Sequence, residues 1–445
     1  MTMTRRRTLF AALPALALVA TACGSPGADD RSAPAATSKT KHRVTVSVPA
    51  GRGGAPFDTK RTVVVPRGWT MSVWARLDAP RLAVWTPDRR LLVSRPGHGD
   101  VQVLTPRKGK APAARTLLSG LRQPHGLAFR GNTLYVAESN RIDTVAYAKG
   151  KATGKRQLIG GLPDAKSPEL GGQYAHALKS VAVAANGTVY LSIGSTGNIS
   201  AQDRSASPQR ATIMRWSPTT KKLQVYARGV RNGTGLALDP KGAVWTAVNN
   251  RDQIEYPYHR DYDGDGSDDY GKVITSYVND HPMEALAKLR SGRDLGWPYC
   301  QPQPDVSAGR KGTKFDLGDR PFIRDAETNP TGSKLDCAKL RRLERGFPAH
   351  SAPLGLAFAT LPKPFGTGAL VATHGSWNRT PPRAPTVTFL HWSKGKLGGR
   401  QILVSGFQNG DGSRWGRPVA AVRGPDGAVY ITDDQAGAVY RLARS

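Results

Sequence analysis

The chain is poor in several things that would each have fixed its class. Three cysteines stand among 445 residues, so it is not a disulfide-dense scaffold. With no CxxC pair and no histidine at ligand spacing, the cysteines do not make a zinc site either. No Walker loop, GxSxG elbow, Ser-His-Asp constellation or GxGxxG opening a helix stands out, which argues against nucleotide hydrolysis, serine hydrolysis and nicotinamide chemistry. Acidic residues are scarce: 33 Asp and Glu face 64 Lys and Arg, for a formal charge of +31. The basic residues are scattered rather than gathered into a recognition motif, so no nucleic-acid partner is expected. Attraction to anionic envelope polymers or lipid headgroups, with some charge reserved for an anionic cofactor, accounts for the surplus.

Long apolar runs are also missing. Arg5, Arg6 and Arg7 precede an apolar stretch from Leu9 to Val19 that is too short to span a bilayer, and residues 1–22 read as a signal peptide. The stretch ends in Ala20-Thr21-Ala22-Cys23-Gly24, where small residues before a cysteine fit a bacterial lipoprotein cleavage site with Cys23 acylated. Ordinary secretory cleavage beside an incidental cysteine is the alternative. Arg6-Arg7-Thr8-Leu9-Phe10 loosely fits a twin-arginine signal. Residues 23–43 hold almost no large apolar side chains and read as a flexible tether. The expected location is outside the cytoplasm, membrane-anchored through the lipid or secreted. In such a compartment Cys300 and Cys337 are expected to form a disulfide.

What the remaining four hundred or so residues do have is a repeat. Six segments show an apolar alternating strand, a turn rich in Gly, Asp, Asn or Pro, and a second alternating strand. They begin at Leu82, Leu127, Val181, Leu236, Leu356 and Ala420. Asn186-Gly187, Lys241-Gly242 and Asp426-Gly427 are hairpin turns, since Gly and Asn tolerate positive φ. Most starts are one propeller blade apart, because a four-stranded blade takes about 40 to 50 residues. The step from the fourth to the fifth is too long for that and must hold an insertion, roughly Asn249 to His350. The expected fold is all-β, a six-bladed propeller over residues 44–445. The stretch from Thr62 to Leu77 is expected to supply an outer strand that closes the ring against the last blade. A β-sandwich is the alternative.

In a propeller, loops at one end of the central channel gather residues distant in sequence. His176, just ahead of the third repeat, could accept a proton from a substrate hydroxyl. Arg231 and Asn232, ahead of the fourth, suit a carboxylate or a quinone oxygen, or else form a surface turn. His374, Trp377 and Arg379 follow the fifth repeat, and Trp415 and Arg417 precede the sixth. Aromatic faces with arginines can sandwich a planar anion, although loop packing explains them equally well. Asp261, Asp263 and Asp265 alternate around glycines as in a calcium loop, but Lys272 stands where an EF-hand has a bidentate Glu, leaving a looser oxygen-ligand site.

The segments QPHGLAF (123–129), HALKSVAVAANGTVYLSIGSTGN (176–198), ARGVRNGTGLALDPKGAVW (227–245), DLGWPYC (294–300), AHSAPLGLAF (349–358) and THGSWNR (373–379) carry a resemblance. They occur in the order found in the glucose/sorbosone dehydrogenase family, and the chain resembles those quinoproteins from about residue 80 onward. The resemblance implies a propeller using pyrroloquinoline quinone, often with calcium, that oxidises a sugar, sugar aldehyde or related polyol and passes electrons to an external acceptor. It places His176 as the base that takes the substrate proton while hydride passes to the quinone. Arg231 and Asn232 fall at the quinone and reacting oxygen, and Arg417 faces the cofactor. Lys179 and Arg379 are assigned to the quinone carboxylates by chemistry rather than by motif. The chain departs from the soluble glucose dehydrogenases where His374 or Gly375 replaces a lysine and Trp415 replaces an arginine, which points away from glucose. A binding propeller without turnover is the competing reading.

Overall fold

The computed structural model describes residues 40–304 and 318–445; the expected signal peptide, Cys23 and most of the expected tether lie outside them. Six sheets, each with four antiparallel strands at its centre, form a six-bladed propeller. The inner strands of its blades are Ala83–Trp85, Leu127–Arg130, Val181–Val183, Asn232–Leu238, Pro353–Leu361 and Pro418–Arg423. Each coincides with one of the six repeats read from the sequence. The strand Trp69–Arg76 pairs with Ala438–Arg444, Trp69 opposite Arg444 and Arg76 opposite Ala438. The last blade is thus completed by the start of the domain, as expected for the stretch from Thr62 to Leu77.

Blades cohere because each sheet is apolar on both faces and meets a neighbour on each side. Between the last blade and the first, Tyr430 packs edge-on against Trp74 and Trp85, with ring centroids 4.8 Å apart in both pairs. Between the second and third, Ile142 and Ile159 meet Val189, Leu191 and Ile193. Close approach at the channel end demands glycine. A Cβ on Gly126 would lie 2.6 Å from the amide nitrogen of Val181 in the next blade, and one on Gly355 would lie 2.7 Å from the carbonyl oxygen of Val419.

Two expectations need correction. The expected single insertion is two, because the third strand of the fourth blade, Glu284–Lys288, lies inside it and pairs with both Val244–Asn249 and Leu343–Phe347. The insertions flanking it are tied together by Arg251, buried between Asp325 (2.8 Å) and Glu327 (2.6 Å). The second insertion is also closed by the Cys300–Cys337 disulfide, with Cα atoms 5.7 Å apart. The tether, expected to run to residue 43, ends sooner: His42 and Arg43 already pair with Val65 and Val64 in a two-stranded sheet, because the β-branched run Val63-Val64-Val65 favours a strand there.

Candidate active site

The six inner strands surround a channel cavity of ≈ 290 Å³. One alanine from each blade lines it: Ala83, Ala128, Ala182, Ala237, Ala357 and Ala421. Small side chains at this place in the repeat keep the axis open. At the end where all six strands begin, the residues just ahead of them are Arg81, His125, His176, Arg231, His350 and Arg417. The mouth therefore gathers basic and imidazole groups from all six blades.

His176 is half-buried on the loop entering the third blade. Its Nδ1 lies 3.0 Å from the carbonyl oxygen of Ser195 and 2.9 Å from Ser195 Oγ. Ser195 Oγ donates its own hydrogen to Gly197 O at 2.7 Å. Both groups facing Nδ1 are thus acceptors, so Nδ1 carries the hydrogen and Nε2 presents a bare lone pair. Burial, reinforced by the neighbouring Arg231 charge, lowers the imidazole pKa to about 3, so the ring is neutral at any physiological pH. Gly194 makes the room: a Cβ there would sit 2.5 Å from His176 Cβ and 3.4 Å from Asn232 Oδ1. His176 and Asn232 therefore flank the same glycine.

Arg231 is nearly buried. Its guanidinium donates to Asn198 O (3.1 Å), Asn198 Oδ1 (3.0 Å), Asn250 O (2.7 Å) and Asn249 O (3.3 Å). Burial lowers its pKa to about 10, with Asp252 and Glu284 opposing. The cation is held by neutral carbonyls, so it projects positive potential without a carboxylate of its own. Asn198 Oδ1 also accepts from Asp252 N at 2.8 Å, and Asp252 faces His350 Nδ1 at 3.2 Å while His350 Nε2 donates to Val278 O at 2.6 Å. Burial works against charging His350, yet Asp252 and the Val278 carbonyl raise its pKa overall.

Across the mouth, Asp434 bridges Arg81 Nη1 (2.7 Å) and His374 Nε2 (2.8 Å). Burial opposes its ionisation, but His374 and Arg81 hold its pKa at about 2. His374 itself is lowered, by burial first and then by the Arg417 and Arg81 charges, against the Asp434 hydrogen bond. Arg417 donates from Nε to His374 O at 2.9 Å, and its backbone N–H reaches Asp433 at 2.8 Å. Arg81 Nε is buried without a partner, as is His125 Nε2. Sequence reasoning missed Arg81, His125, Asp252, His350 and Asp434. For Arg81, His125 and His350 the available signal was their place ahead of a repeat, shared with His176 and Arg231.

Other expected site residues are placed elsewhere. Lys179 is fully buried, donating to Pro163 O (2.8 Å) and Ala177 O (2.7 Å) over the Tyr174 ring. Its ammonium faces inward, so it does not present a charge to a cofactor. Arg379 clamps the first insertion through Asn279 O (3.1 Å) and Asp280 (3.4 Å). Trp377 is 76% exposed rather than stacked. Trp415 is core, packed against Phe407 with its Nε1 donating to Gly406 O at 2.8 Å. Asp261, Asp263 and Asp265 do converge, with ligand atoms within 4.8 Å of one another on the exposed surface of the first insertion. Lys272 Nζ reaches Ser267 Oγ (2.5 Å) and Asp269 (3.1 Å) in the same loop. The three carboxylates could hold a hard cation such as calcium.

Residues 63–445 match the family described as TrAA12-like. A protein of Borreliella burgdorferi is 25% identical over 405 residues, covering 86% of this chain and 90% of that one. The pyrroloquinoline quinone-dependent pyranose dehydrogenase of Coprinopsis cinerea is 24% identical over 296 residues, 57% of this chain and 37% of that enzyme. The solved quinone domain of the Coprinopsis cinerea pyranose dehydrogenase superposes with a TM-score of 0.72 at 21% identity, over 90% of this chain and all of that one. A calcium structure of the Trichoderma reesei family AA12 enzyme gives 0.69 at 20% identity, over 86% and 97%.

Proposed function

Because the chain belongs to the TrAA12-like family, we propose that it is a quinone-dependent oxidoreductase that oxidises a sugar, sugar aldehyde or related polyol, with His176 as the base. The observation that carries this reading is the state of His176: a neutral ring, its Nδ1 hydrogen fixed on Ser195 and its Nε2 lone pair free beside Asn232 and Arg231. That is the arrangement for taking a hydroxyl proton, since the conjugate acid forms only when a substrate proton arrives.

The donor set fits pyrroloquinoline quinone, a planar polycarboxylate. Arg417 uses only Nε in its bond to His374 O, and Arg81 keeps a buried Nε without a partner. Both cations lie near Asp434, which His374 shares, and Arg417 also lies near Asp433. Arg81, Arg417 and His374 would hold the carboxylates, with Asn232 and Arg231 at the opposite rim. The quinone, when bound, supplies a two-electron acceptor, which an external acceptor would then reoxidise. The protein orients substrate at Asn232, takes its proton at His176 Nε2 and, through Arg231, offers fixed positive potential where negative charge accumulates. Calcium at Asp261, Asp263 and Asp265 belongs to the proposal too, as does a location outside the cytoplasm. The buried disulfide supports that location.

The test is an optical titration of the protein with pyrroloquinoline quinone in the presence of calcium, followed by a screen of aldoses and polyols. We expect stoichiometric binding, weakened at least about tenfold in Arg417→Ala, and bleaching of the bound quinone by a sugar. If the folded, calcium-loaded protein does not bind, the reading fails and a carbohydrate-binding propeller without turnover takes its place.

A further inference from the structure

The end of the ring opposite the mouth consists of the short turns between the first and second and between the third and fourth strands of the blades, except in the fourth, where residues 289–342 form the second connection. Each blade places an exposed basic residue in or beside these turns: Lys108, Lys149, Lys222, Lys241, Lys363 and Arg423 in ring order. The acidic residues of the same turns are already engaged. Asp88 is ion-paired with Arg90. Asp239 accepts from the backbone of Lys241 (2.8 Å) and Ala243 (3.0 Å) and from Trp245 Nε1 (3.0 Å). Asp426 is paired with Arg441 at 2.8 Å. The result, among the described short turns, is exposed positive charge in every blade, with the acidic residues of those turns already paired.

The chain also enters the fold on this face. Thr40 O accepts from Arg67 N at 2.9 Å, and Ser445 N donates to Gly68 O at 2.8 Å in the turn that follows. Lys41 lies opposite Pro66, at the same end. The segment bearing Cys23 therefore joins the propeller on the basic side, away from the mouth.

We infer that this face docks on a surface of anionic lipid headgroups, with the mouth turned outward. A lipid surface fits better than a soluble polymer for two reasons. Outside the fourth blade, where residues 289–342 join the third and fourth strands, the turns are short and spread around the ring, which suits contact with a plane. The attachment point of the acylation-site segment lies among them. Juxtamembrane basic residues are attracted to anionic leaflets in this way, within about a Debye length. The inference concerns the face away from the mouth and stands independently of the oxidation chemistry.

The test uses the full chain with Cys23→Ser, so that no acyl group contributes, sedimented with vesicles of phosphatidylcholine alone or mixed with phosphatidylglycerol. We expect partition onto the phosphatidylglycerol vesicles alone, falling steeply with added salt. Each lysine should contribute about fivefold, so a variant carrying Lys108→Glu, Lys222→Glu, Lys241→Glu and Lys363→Glu should lose at least roughly a hundredfold. Its melting temperature reports that it is folded, and the corresponding Lys→Gln set should give an intermediate loss. Equal binding to both vesicle types, or undiminished partition of the Lys→Glu variant, overturns the inference. So does retention by soluble polygalacturonate without vesicle binding, which would assign the face to an anionic polymer.

Discussion

The two ends of the channel are built from the same hairpin unit, yet they carry charge in opposite ways. At the mouth, ionisable groups are buried and their states are fixed by neighbours: His176 and His125 are driven to about 3, Asp434 to about 2 and Arg231 to about 10. At the other end lysines stand in solvent on short turns. The difference follows from connection length. Mouth-side connections include residues 160–180, 194–211, 250–283 and 374–385, whereas the opposite turns are a few residues long except for residues 289–342 in the fourth blade. Long segments can fold over the ring end, desolvate one another and shift pKa values; short ones can only display side chains.

The largest expected effect is at the mouth. His176→Ala should lower kcat for sugar oxidation by roughly 10²–10⁴, the range for removing a general base, and its melting temperature reports whether the fold is retained. Since the imidazole pKa is held near 3, the wild-type rate should show no ionisation step at an ordinary histidine value. Steady-state kinetics across pH check both points. A step near 6.5 that vanishes in the variant would mean that the ring is solvated and that the described mouth opens.

A smaller effect concerns Asp434. Its folded-state pKa, about 2, lies below the ordinary value of 3.8, so its ionisation favours the native state. The contribution is fully present above the unfolded value and is lost as pH falls from about 4 to about 2. It amounts to about 2 kcal/mol. Urea unfolding at pH 7 and pH 3 should show the wild type losing more stability on acidification than Asp434→Asn does. Equal losses would place the Arg81 and His374 contacts in solvent.

The contrast also explains what the sequence could reveal. Hairpins announce themselves locally, through Asn186-Gly187 or Asp426-Gly427, and so all six inner strands and the closing strand were legible. Glu284–Lys288 was not, because two insertions separate it from its partners and its five residues carry no turn signal. His176, Arg231 and Arg417 could be placed at the mouth from motif and position. Asp434 could not, because what defines it is contact with Arg81, 353 residues away, and no local pattern encodes that distance. Lys179 was misread because three residues along a loop from His176 suffice to turn a side chain from the channel mouth into the protein interior.

The smallest expected effect lies on the basic face. Lys241 is exposed, and the turn it occupies is held by its backbone N–H on Asp239 rather than by its ammonium. Lys241→Gln should therefore move stability by no more than about 0.5 kcal/mol and leave sugar oxidation unchanged. Asp239→Ala, two residues away, removes the acceptor of two backbone N–H groups and of the buried Trp245 indole, and should cost about 1–3 kcal/mol. Thermal melts of the two variants separate the scaffold of the turn from what it displays. If Lys241→Gln proved as damaging as Asp239→Ala, the lysines would be part of the fold's own charge balance, and the face would no longer be free to meet a partner.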